Sequence, residues 1–161
     1  MTAALRRTSH REAGPNDRGF TLIELLVVVV IIGVLIAIAV PLYSNYKKGA
    51  ANTSASSDVR GAISAVEQFY TANGNQYPAT TDNSATPGGN ITLQLTGGGG
   101  TTGTITVSSG NTLYFKNNST SYVICGQNTD GQTIYSYNSS TSKSVAKSSA
   151  TSLTTCAAAT S

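Results

Sequence analysis

The chain has 161 residues, enough for one ordinary domain and too few for two large ones. Charged residues are 11% of the total, against roughly 25% in an average soluble domain. The 39% of apolar residues are unevenly placed, with Leu25 to Val40 free of any charged or strongly polar side chain. A uniformly soluble globular protein and a polytopic membrane protein are both excluded, which leaves one apolar segment carrying a small polar head.

In chain order, residues 1–19 read as a leader without helical period. Arg6, Arg7, Arg11 and Arg18 outweigh Glu12 and Asp17 there, so this segment supplies most of the net charge of +3. Arginines ahead of an apolar run suit a cytoplasmic anchor under the positive-inside rule. No basic stripe matches a phosphate backbone, so nucleic-acid binding is not indicated. Phe20 to Val40 follows, interrupted only by Thr21 and Glu24. At about 1.5 Å per residue a helix of this length crosses a bilayer core of about 30 Å. A lone strand is excluded, because lipid leaves its backbone unpaired.

Helical character continues past Pro41 through Tyr43, Tyr46, Lys47 and Lys48. Ala55, Val59, Ala62, Val66 and Phe69 then recur at steps of four and three, a narrow apolar seam that Ile63 and Tyr70 widen on one side. The pattern predicts one helix from about Phe20 to Ala72, kinked near Pro41 and about 80 Å long. Asn73-Gly74-Asn75 ends it.

From Tyr77 the texture becomes that of short strands. Ile91–Leu95 alternates with period two, Gly97–Gly100 is a turn, and Thr104–Val107, Thr112–Lys116, Tyr122–Cys125 and Thr133–Tyr137 are further strand candidates. The expectation is an antiparallel meander with a weakly specified tail after Tyr137. So few large apolar side chains cannot close a core, and the seam Ala55–Phe69 is the available partner. The fold class is α+β: a long N-terminal helix packed on a small antiparallel sheet. Cys125 and Cys156 have no third cysteine to compete. They form either a structural disulfide in an oxidising compartment, the favoured reading, or two separate buried thiols. A bridge would close a loop of about 30 residues and contribute about 3–4 kcal/mol.

Glu24 carries the functional signal. A carboxylate near the start of a bilayer-spanning helix is costly, so it is either a functional group or a tolerated interfacial residue. Its neighbours, Gly19-Phe20-Thr21-Leu22-Ile23-Glu24-Leu25, resemble the processing motif of the type IV pilin family, which includes the type II secretion pseudopilins. The resemblance covers residues 18–72; beyond that it is architectural. It implies cleavage between Gly19 and Phe20 by a prepilin peptidase, N-methylation of Phe20, and an assembly role for Glu24 opposite a neighbouring protomer's amine. It further implies a homo-oligomeric helical filament, built by an assembly platform and ATPase, from a subunit held in the cytoplasmic membrane before it joins an extracellular pilus serving adhesion, motility or DNA uptake. The domains expected are a leader over 1–19, a membrane and filament-core helix over 20–46 and a head over 47–161 that begins with helix 47–72. Gly33 and Pro41 mark the least stable part of the helix, either an ordinary membrane kink or, as the resemblance implies, a stretch that loses helicity in the filament.

Other readings are a pseudopilin, a monomeric membrane-anchored binding module, and signal-peptidase cleavage after Ala37-Ile38-Ala39. Within the family, a pseudopilin of the major kind often has a calcium-binding head without such a disulfide. No enzyme, cofactor or metal is expected: His10 lies in the leader, Gly97–Gly100 lacks a following Lys-Ser/Thr, and Asn128–Gly131 has too few carboxylates for calcium. Asn52, Asn90, Asn117, Asn118 and Asn138 stand in Asn-x-Ser/Thr contexts that a Ser/Thr-rich chain generates by chance. The eight tyrosines are read as packing rather than a ligand platform.

Overall fold

A computed structural model describes residues 19–159, which divide into two compact units at Pro41/Leu42. Arg6, Arg7, Arg11, Arg18, Glu12, Asp17 and His10, which fall in the expected leader, lie outside the described residues. Helix α1 spans Leu22–Ala72 and has Pro41 inside it. In the first unit every described residue is exposed. Leu22 to Val40 shows large aliphatic side chains all round, which is what a helix needs when lipid or other helices cover it.

In the second unit α1 behaves as its seam predicts. Ala55, Val59, Ala62, Val66 and Phe69 are the buried apolar residues of the helix, together with Ser56. Ile63 packs beside them half-buried. The helix stops where expected: Gly74 and Asn75 both adopt φ of 62°, and the Asn75 N–H reaches back to the Tyr70 carbonyl at 3.0 Å.

The seam lies on a five-stranded antiparallel sheet. Its strands are β1 (Thr81–Asp82), β4 (Asn111–Asn117), β5 (Tyr122–Asn128), β6 (Ile134–Asn138) and β7 (Ala146–Lys147), in the order β1-β4-β5-β6-β7. β2 (Ile91–Leu93) and β3 (Gly103–Ile105) form a separate two-stranded sheet. The expected single meander is therefore corrected: only β4 to β7 follow it. The cause is local. The Asn83 side-chain oxygen accepts from the Leu113 N–H at 2.7 Å, and the Asn83 N–H donates to the Leu113 carbonyl at 3.3 Å. β1 pairs with β4 through Thr81–Phe115 and Asp82–Tyr114. With that edge of β4 occupied, β3 pairs only with β2. The hairpin still enters the core, because Ile91, Leu93, Ile105 and Val107 pack with Val59, Phe69, Leu113 and Phe115.

β5 is covered on both faces. Tyr122 and Ile124 join the cluster under α1, while Val123 and Cys125 join Ile134, Cys156 and Ala157. Cys156 belongs to α2 (Leu153–Ala159), so the tail expected to be weakly specified holds a strand and a short helix. Cys125 and Cys156 are disulfide-bonded across a separation of 31 residues, tying α2 to the sheet face opposite α1.

Polar side chains fasten the loops. Asp58 on α1 accepts from the Ser108 N–H at 2.7 Å, the Ser108 hydroxyl at 2.9 Å and the Asn111 amide at 2.6 Å. Asn111 in turn accepts from the Asn128 amide at 2.6 Å. Beyond the helix end, Asn73 accepts from the Thr101 N–H at 2.8 Å and donates to the Thr101 carbonyl at 3.0 Å. Asn128–Gly131 is a turn in which Asn128 Oδ1 accepts from the Asp130 N–H at 2.9 Å.

Gly126 sets how closely α1 approaches β5. A Cβ there would stand 2.5 Å from a Val59 methyl and 3.6 Å from the Ala55 carbonyl. Gly126→Ala therefore lowers stability by about 1–3 kcal/mol. Pairing it with Val59→Ala recovers part of that loss, because the deleted methyls are the obstruction. Denaturant unfolding of both single variants and the double variant reads the coupling; strictly additive losses would remove the contact as the cause.

Candidate processing and assembly site

The expected site residues fall into two groups. Gly19 and Phe20 precede α1, Glu24 sits in its first turn, and Gly33 lies farther along the first unit, which ends at Pro41. Cys125 and Cys156 belong to the second unit. No chemistry links the groups, so the first alone is the candidate processing and assembly site.

The helix start is built by a reciprocal cap. The Thr21 N–H and hydroxyl both donate to Glu24 Oε2 at 2.8 Å, and the Glu24 N–H donates to Thr21 Oγ1 at 3.3 Å. This is a capping box: a hydroxyl residue and a carboxylate three positions later satisfy each other's backbone donors. The negative charge also faces the positive end of the helix dipole. The sequence reading assigned Glu24 by its charge and missed Thr21, although the Thr-x-x-Glu spacing was in plain view. The carboxylate is thereby folded back onto Thr21 at the start of the helix instead of extending sideways.

Phe20 is 91% exposed and Leu22 92% exposed, so both are open to a processing enzyme or a second subunit. A Cβ placed on Gly19 or on Gly33 meets nothing within 4 Å. Neither glycine is needed for packing inside this chain. Inside this chain a side chain would fit at either position, so what a glycine offers there is backbone freedom.

In the second unit, four of the eight tyrosines read as packing form a chain of rings, whereas Tyr43 and Tyr46 are exposed. Tyr70 and Tyr77 stack at 4.4 Å between centroids, Tyr77 meets Tyr122 edge-on at 5.1 Å, and Tyr122 lies 5.9 Å from Tyr137. The fully buried Tyr122 donates its hydroxyl to Glu67 at 2.7 Å. Burial first, then that hydrogen bond and the charge of Glu67, push the Tyr122 phenol far above its ordinary value. Burial and Glu67 also raise Tyr77. A groove of about 440 Å³ between α1 and β3 is lined by Ser64, Gln68, Asn73, Thr102 and Thr104 and holds no charged side chain. Among the described residues no three His, Cys, Asp or Glu side chains gather.

Comparison with known proteins agrees with the geometry of the helix start. The family described as the prokaryotic N-terminal methylation motif matches residues 14–40, which include Gly19, Phe20, Thr21 and Glu24. The chain is 39% identical over 74 residues to type II secretion system core protein G of Pectobacterium carotovorum, covering 46% of this chain and 47% of that protein. It is 39% identical over 56 residues to the type IV major pilin protein PilA of Myxococcus xanthus, covering 35% and 26%. Against the type IV major pilin protein PilE1 of Neisseria gonorrhoeae it is 41% identical over 58 residues, covering 36% and 35%. The chain spans less than half the length of these relatives. No solved structure matches it. With its long helix packed on a small antiparallel sheet, the chain is a type IV pilin-like protein.

The Tyr122 phenol holds its proton more tightly folded than unfolded. Its stabilising effect is therefore complete below the unfolded value of about 10 and declines as pH rises past it. Tyr122→Phe costs about 1 kcal/mol at neutral pH, the worth of one hydrogen bond. Above pH about 10 the gap to wild type narrows, because phenylalanine does not titrate. Thermal melts of both proteins across that range test this; a constant gap would contradict it.

Proposed function

We propose that this chain is a prepilin whose mature form polymerises into a type IV pilus filament. The peptide bond between Gly19 and Phe20 is hydrolysed by a prepilin peptidase on the cytoplasmic side, and the new α-amine of Phe20 is methylated. Residues 20–46 hold the subunit in the cytoplasmic membrane and then form the filament core, and residues 47–161 are the head. The observation that carries this reading is the Thr21–Glu24 cap at the start of a helix that is exposed and apolar all round.

The physical logic has three steps. Contiguous apolar surface on this scale does not stay in water, so lipid or neighbouring helices must cover it. Cleavage removes the net-positive leader and leaves a protonatable amine one helical turn from Glu24. An unpaired carboxylate in an apolar core is strongly disfavoured, so Glu24 sets axial register by pairing with the amine of a preceding protomer, and Thr21 shares the carboxylate until that partner arrives. Gly33 and Pro41 are the positions where the helix yields most easily during the transfer.

A second reading has one observation in its favour. The match to type II secretion system core protein G covers 46% of the chain, more than the 35–36% covered by the pilins above. A pseudopilin uses the same processing and the same helix packing, and differs in which export machinery assembles it. The fibre formed when each machinery is supplied separates the two. A monomeric membrane-anchored module, the remaining alternative, forms no fibre.

Two measurements test the processing and assembly roles. Gly19→Leu leaves an uncut precursor in the membrane, because Gly19 has open space around it and the change does not disturb the chain's own packing. Amino-terminal sequencing of wild type reads Phe20; a start at Val40 would instead identify a secreted head. Glu24→Ala inserts normally, but fibre yield falls by an order of magnitude or more, since removing one partner of a buried pair costs about 3–5 kcal/mol. Electron microscopy counts the fibres, and wild-type numbers from the variant would dispose of the register role.

A further inference from the structure

We propose that Tyr43, Tyr46, Lys47 and Lys48 form a collar that docks anionic phospholipid headgroups of the leaflet opposite the leader. The inference rests on the membrane reading above and concerns a surface that neither cleavage nor register requires. The apolar run Phe20–Val40 already matches the thickness of a bilayer core. The next turns of α1 therefore emerge into the headgroup layer. Leu42, Tyr43 and Tyr46 are 69%, 66% and 76% exposed, and Lys47 and Lys48 are exposed as well. The head does not cover them: burial on α1 begins at Ala51 and is complete only at Ala55.

The residue types fit one occupant. Tyrosine settles at membrane interfaces, with its ring among the chains and its hydroxyl in the headgroup layer. Tyr43, Tyr46 and Lys47 are spaced three and four apart and so share one side of the helix; Lys48 follows around it. The lysines reach headgroup phosphates from the side that the positive-inside rule keeps poor in cations, so their presence there runs against topology alone. Asp58, the first acidic residue after them, is held by Ser108 and Asn111. These lysines are the first cations of the chain after the apolar run. Filament entry then requires the collar to release its lipids, which couples extraction to lipid charge.

The chain contains no tryptophan, so Tyr46→Trp gives a single fluorescent reporter that keeps an aromatic ring at the interface. The full chain is reconstituted in vesicles doped with either phosphatidylglycerol or phosphatidylcholine, spin-labelled at the headgroup. The collar predicts that the anionic phosphatidylglycerol quenches Trp fluorescence preferentially, with selectivity on the order of fivefold per lysine. That preference is lost in high salt and when Lys47→Gln and Lys48→Gln are added. Equal quenching by both lipids, or a preference indifferent to the lysines, overturns the collar while the membrane reading stands. A chain that stays in the supernatant, unquenched by either lipid, overturns both.

Discussion

One helix must satisfy two incompatible burial schemes. A helix packed on a sheet can hide only a stripe, because its other side faces water; a helix inside lipid or a bundle of helices must be apolar all round. In α1 the change falls between Val40 and Ala55. Before it lie leucine, isoleucine and valine in every direction. After it lie alanine, valine and phenylalanine at steps of three and four, with Ser57, Arg60, Ser64 and Gln68 between them. The rest of the molecule follows from that change. The head exists because the seam can bury a sheet, and the need for an outside partner exists because the first stretch can bury nothing of its own.

The small residues in the seam set the geometry of the head. Ala55 and Ala62 let α1 lie close to the sheet, and Gly126 on β5 receives Val59 where any side chain would collide. Close approach compensates for a sheet with few large residues, since Ala55, Val59, Ala62 and Val66 are completely buried. The opposite face of β5 is closed differently. Its cover is seven residues of α2, and a helix that short is not stable alone. The disulfide from Cys125 to Cys156 holds it in place by lowering the entropy of the unfolded chain.

The seam, the helix end at Asn73-Gly74-Asn75 and the five longer strands could be read from the sequence because each rests on local period or turn chemistry. The pairing of those strands could not, because it turns on Asn83, whose side chain acts as a piece of strand against Leu113. Nothing in the local sequence of an asparagine announces that. Helix α2 was obscured by its own composition: Leu153-Thr-Thr-Cys-Ala-Ala-Ala has no apolar stripe, and only packing on Val123 and Cys125 gives it an inside. Its cap was nonetheless visible as Ser152-x-x-Thr155, where the Thr155 N–H donates to the Ser152 hydroxyl at 3.1 Å. At the candidate site, the same kind of signal in Thr21-x-x-Glu24 was hidden behind the more obvious question of why a carboxylate should stand there at all.

The head's polar composition is part of how it holds together. Asn73, Asn83, Asn111 and Asn128 are all buried, and each bonds backbone or another buried amide, so loops that lack apolar anchors are fixed by side-chain hydrogen bonds instead. Such bonds are directional and short-range, and they specify a loop without demanding anything of the residues that face outward. The exposed surface can then be rich in serine, threonine and glycine at no cost to the fold. A filament subunit needs that division, since in the proposed assembly the helix must fit its copies closely while the outer face meets only solvent or whatever the fibre touches.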